Sequence, residues 1–255
     1  KDFTGIFNIG ALLYKEGRLT ESKDYLYKAL QISATYPNIH FVLALIAQDE
    51  NDLNSAFYSA TQSVRHNKRQ DELYRQSLSL MVELAQKLIQ TDTGKTIYRN
   101  FRKTVETTCG KTIDIVKDDT IATAAKCEFA EVYQRDRHRV LYKPTYKAVE
   151  HLIMHELCHL QFAAEARKAG ANKLFTTDGS KRAAFVKKLA PTTERLRKMR
   201  VSQTDIDHFV NGLFDGINLQ AYNAPIDLFI EEMLYNDFPE LRPYQFISLY
   251  NLIDE

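Results

Sequence analysis

The sequence predicts an α+β fold in two parts: an all-helical arm over residues 1–92 and a mainly helical domain with a small sheet over residues 93–255. Three observations predict it. Amphipathic helical periodicity runs through the first ninety or so residues, the turn-rich stretch Thr91-Asp92-Thr93-Gly94 interrupts it, and short β-branched runs appear only afterwards. An apolar fraction of 44% over 255 residues is enough for one large core or two ordinary ones, which makes a folded chain the default.

Within the arm, Gly10, Tyr14, Gly17, Ser22, Leu26 and Ala29 give a small-and-aromatic spacing that ends near Pro37-Asn38. A step of 34 residues carries Gly10 to Ala44, Gly17 to Asn51, Ser22 to Ala56 and Leu26 to Ala60. Paired helices approach closely only where side chains are small, and Gly or Asn tolerates the left-handed turn between them. The stretch resembles a tetratricopeptide repeat, with Ile6 where that family has a large aromatic. The resemblance implies a helical arm that holds a protein partner. A further helix, residues 71–90, is expected to cover the last apolar face of the stack.

After the boundary, Ile113, Ile115 and Val116, then residues 125–132, then Arg139 to Tyr142 read as strands. Gln134 to His138 would connect the last two as a hairpin. Pro144-Thr145 opens the next helix, on which Val149, Leu152, Ile153, Leu157 and Leu160 recur at helical spacing before Gly170 stops it.

That helix carries His155-Glu156-Leu157-Cys158-His159. His155 and His159, four apart, lie on one face about one turn from each other and can grip one ion, while Glu156 sits about 100° around the helix. A zinc ion so held lowers the pKa of a water towards about 7, and Glu156 is the general base that takes the proton. The five residues resemble the HExxH signature of zincin metallopeptidases. The resemblance implies zinc-dependent hydrolysis of a peptide or protein substrate, a third protein ligand, and an edge strand before the helix that holds the substrate backbone, the part expected of Arg139 to Tyr142.

His151 is eight residues from His159, about 12 Å along the axis, too far for one ion to join all three histidines. Cys158 falls on the apolar side and reads as a buried small hydrophobe. In one zincin branch the third ligand follows a glycine, but here Phe162 and Glu165 hold those two positions, and Glu165 points away from His159. The gluzincin branch takes a glutamate from a later helix. Asn223-Ala224-Pro225 reads as such a helix's start, leading to Glu231 and Glu232. Glu231 is preferred as ligand because Asp227, four residues earlier, shares its face and can orient a histidine. Tyr222, Tyr235, His208 and Arg242 are candidate donors to a substrate oxyanion.

Lys and Arg total 34 against 33 Asp and Glu, a balance of +1 that predicts no nucleic-acid partner, and the basic stretch from Lys181 to Arg200 reads as a solvated helix pair. No run is apolar enough for a membrane span. Lys1 in place of Met predicts a removed upstream segment and leaves the compartment open. Cys109, Cys127 and Cys158 are too sparse for a disulfide framework, leaving at most one bridge between Cys109 and Cys127. The competing reading is a non-enzymatic interaction module in which zinc only staples the second part.

Overall fold

The computed structural model describes residues 3–171 and 178–253. Helices α1 (Phe3–Lys15) and α2 (Leu19–Ile32) pair antiparallel, and α3 (Pro37–Asp49) and α4 (Leu53–His66) repeat those bounds 34 residues later. The turns inside the pairs close through left-handed residues at the same offset, Gly17 at φ 75° and Asn51 at φ 59°. Gly10 lets α1 meet α2, since a Cβ there would stand 3.0 Å from the Leu26 side chain, and its carbonyl accepts the Ser22 hydroxyl at 2.8 Å. Helix α5 (Glu72–Leu88), capped by the Asp71 carboxylate on the Tyr74 amide, packs on α4.

Helix α6 (Thr93–Cys109) leads into a three-stranded mixed sheet of β1 (Ile113–Lys117), β2 (Ala125–Glu128) and β3 (His138–Tyr142), in the order β1-β3-β2. β3 pairs parallel with β1, Ile115 opposite Val140, and antiparallel with β2, Cys127 opposite Val140. Arg139 to Tyr142 is therefore the central strand and not an edge, because β1 takes its second side by a long crossover through β2. The edge strands are β1 and β2. Extended pairing in β2 also stops at Glu128, where residues 129–133 turn.

Helix α7 (Val149–Lys168) begins three residues later than a cap at Thr145 would have it: Ala148, at φ 54°, takes the cap position in the left-handed region. Two further helices, α8 (Gly179–Lys188) and α9 (Ala190–Lys198), carry the basic stretch and bury only Thr193. Helix α10 (Gln203–Asp237) then runs unbroken for 35 residues through Pro225, where a new start was expected. Proline costs a helix one backbone bond, but this stretch is exposed, so water can satisfy the carbonyl of Ala221 instead. A short 3₁₀ turn, Pro239–Leu241, joins α10 to α11 (Arg242–Ile253). Among the described residues no helix is long and apolar enough to cross a membrane.

The largest apolar cluster joins Ala56, Phe57, Leu80, Met81 and Leu84 of α4 and α5 to Met154 and Cys158 of α7, Ile230 and Leu234 of α10, and Tyr244 and Ile247 of α11. It runs across residues 92 and 93. At that point the Tyr244 hydroxyl donates to the Thr91 carbonyl at 2.9 Å and accepts the Gly94 amide at 3.1 Å, and a Cβ on Gly94 would stand 2.5 Å from the Tyr244 ring. A second cluster packs the sheet on α6 and α7 through Val105, Ile113, Val140, Ile153 and Leu157. Helix α7 is thus held on two sides. Its remaining strip, carrying His155, Glu156 and His159, is partly open to solvent.

Candidate metal centre

Helix α10 crosses that open strip and completes the site. The Nε2 atoms of His155 and His159 are 3.2 Å apart, and Oδ1 of Asp227 lies 3.4 Å from the first and 3.2 Å from the second. For bonds of about 2.0–2.1 Å to a tetrahedral ion, ligand atoms stand about 3.3–3.4 Å from one another, so this triangle has the dimensions of a three-ligand zinc site. Among the described residues these three form the group able to hold a metal.

Glu231, expected as the ligand, lies elsewhere in the network. Its Oε1 accepts Nδ1–H of His155 at 2.8 Å, while its Oε2 accepts Nε2–H of His151 at 3.0 Å and the Gln245 amide at 2.6 Å. Gln245 also donates to the Glu231 backbone carbonyl at 2.9 Å, and Nδ1 of His151 accepts the Ser248 hydroxyl. Burial would raise the Glu231 pKa, but the hydrogen bonds from His151 and His155 outweigh it and hold the carboxyl well below the usual range. The roles expected of Asp227 and Glu231 are therefore exchanged in space: Asp227 meets the open nitrogens, and Glu231 orients the ring behind them.

The exchange has a chemical consequence. With Nδ1–H donated to Glu231, His155 presents Nε2 to the triangle; burial opposes protonation of the ring, but Glu231 and the neighbouring carboxylates outweigh it and raise its pKa, so a metal there would displace a proton. Oδ1 of Asp227 faces both rings within ion-pair distance, and a proton on Nε2 of His159 would be donated to it. Two imidazole nitrogens and a carboxylate oxygen that converge on one point can share either a proton or a metal cation. The donor set fits a borderline-soft ion such as zinc.

Glu156 stands beside the triangle, not in it. Burial pushes its pKa above the ordinary glutamate value, partly offset by His155 and by hydrogen bonds from the thiol and backbone amide of Cys127 on β2. Burial also raises the Cys158 thiol, which packs in the core as a small hydrophobe. All three cysteines are free, so Cys109 and Cys127 are not bridged.

The other candidates disperse. Glu165 is exposed and accepts the Gln161 amide, and exposed Glu232 lines a surface groove with Phe162. His208 lies 19 residues before Asp227, about 28 Å along α10. Tyr235 and Arg242 line a separate cavity, while Tyr222 is on α10 just over one turn before Asp227. Sequence reasoning missed Ser248, Gln245 and Cys127, whose partners are 97, 14 and 29 residues away, respectively, with no local spacing to mark them.

No protein-family model, curated protein or solved structure matches this chain.

Proposed function

We propose that the chain is a zinc-dependent peptidase, with His155, His159 and Asp227 as metal ligands and Glu156 as general base. The observation that carries this reading is the triangle of two imidazole nitrogens and one carboxylate oxygen, with a second buried carboxylate, Glu156, at its side. His155, His159 and Asp227 would hold the ion, which when bound would supply Lewis acidity and a water of lowered pKa. Glu156 would be the group that takes up and gives back a proton beside the three ligands, a task suited to a carboxylate whose pKa burial raises above its ordinary value. Glu231 and His151 hold the His155 ring in place.

Peptide is the favoured substrate because β2 is an edge strand and its Cys127 contacts Glu156. An extended backbone added to that edge would lie alongside the base. The 34-residue recurrence of helix bounds and left-handed turns supports a tetratricopeptide-like arm for a protein partner.

Metal analysis combined with a peptide-library digest tests the reading. Wild type and Glu156→Gln are both expected to hold stoichiometric zinc, with turnover lowered about 10²–10⁴-fold in the variant. Zinc without cleavage by wild type would instead favour the interaction module with a structural metal.

A further inference from the structure

Apart from the metal centre, the described residues enclose a cavity of about 560 Å³ between α4 and α5 on one side and α10 and α11 on the other. Its walls are mostly apolar, formed by Phe57, Met81, Pro239, Phe246 and Leu249 among others. One cation faces it. Arg242 lies with its guanidinium 4.5 Å over the Tyr235 ring, and its Nε donates to the Tyr235 carbonyl at 2.8 Å. Arginine carries five donors, and this anchoring uses one and fixes the plane of the fork. Among the described residues no carboxylate pairs with it, although most other arginines that contact a ring or carboxylate here do have an acidic partner, as Arg135 has Glu128 and Arg182 has Asp215.

We propose that this cavity binds a small monocarboxylic acid with a hydrocarbon body, its carboxylate on the free edge of Arg242. A planar fork held against an aromatic face is suited to bidentate carboxylate recognition, and a concave apolar wall with one placed charge is the usual form of a small-molecule site. The polar lining argues against a peptide as occupant. The Thr61 hydroxyl is committed to the Phe57 carbonyl at 2.8 Å and Gln245 to Glu231, while Asn54 is exposed at the rim, so amide groups of a bound peptide would be buried with few partners. Exposed Glu240, also on the lining, disfavours a second negative charge on the ligand. The assignment does not depend on the metal reading.

Isothermal titration calorimetry on the full chain, with octanoate, octanamide and N-acetyl-phenylalanine as probes, tests it. Octanoate is expected to bind at least tenfold more tightly than octanamide, and more tightly than N-acetyl-phenylalanine. Arg242→Gln should lose at least tenfold for octanoate with octanamide unchanged, and Arg242→Lys should recover part of that loss. The comparison of probes on wild type stands even if a variant fails to fold. Equal affinity for octanoate and octanamide would overturn the proposal by reducing the cavity to an apolar sink, and tighter binding of N-acetyl-phenylalanine would overturn it in favour of a peptide end.

Discussion

The two helices that build the candidate metal centre are anchored in opposite ways. Helix α7 is buried along most of its length, with His151, Leu152, Ile153, Met154, Leu157, Cys158, Leu160 and Ala164 all enclosed. Helix α10 is buried at Ile206, Val210 and Phe214 near one end and at Ile230 and Leu234 near the other, with no buried residue from 215 to 229. His155 and His159 thus stand on a fixed platform. Asp227 stands just outside the anchored end of a strut, one turn from Ile230 and Glu231. A site side chain on α7 is positioned by its own helix, whereas one on α10 is positioned by what clamps α10 to α7. The Glu231 carboxylate, bonded to two histidines of α7 and to Gln245 of α11, is that clamp.

The sharpest way to break this contrast is to remove each carboxylate of α10 in turn. On the proposed reading, Asp227→Ala weakens zinc affinity by more than about 100-fold, by deleting a ligand, and Glu231→Gln by about tenfold, by loosening a ring. Competition with a chromophoric chelator reads both, and the reverse ranking would return the ligand role to Glu231. Next in size is one substitution made in two environments. Gly94→Ala would press a methyl group into the Tyr244 ring and should destabilise by about 1–3 kcal/mol by overpacking. Gly216→Ala, on the open middle of α10 with nothing within 4 Å of the new Cβ, should stabilise by about 0.5–1 kcal/mol. Urea denaturation of both variants measures the pair, and a loss of stability at Gly216 would mean that the middle of α10 is covered by something.

The same contrast explains what could be read from residues alone. His155 and His159 were legible because four residues are one turn, a relation that holds wherever the helix sits. Gly17 and Asn51 were legible for a similar reason: a left-handed turn marks its residue locally. Asp227 and Glu231 were recognisable as a pair on one face, but which of them meets the nitrogens depends on how α10 crosses α7, and spacing within α10 is silent on that. The three strands were found near their places, yet β3 proved central because pairing order is a long-range property. Proline at 225 was read as a boundary when exposure made it tolerable inside a helix. The turn at residues 91–94 does separate two helices, but the apolar cluster passes over it unbroken.

Tyr244 gives that last point a dimension in time. Its hydroxyl closes on Thr91, 153 residues earlier in the chain. At synthesis rates of about 5–20 residues per second, roughly 8–30 s separate the emergence of the two partners. Throughout that interval the face of α5 that bears Leu80, Met81 and Leu84 has no α11 to cover it. That face of α5 therefore stays partly uncovered until α11 emerges, so during synthesis the residues before it carry an apolar surface that the finished fold hides.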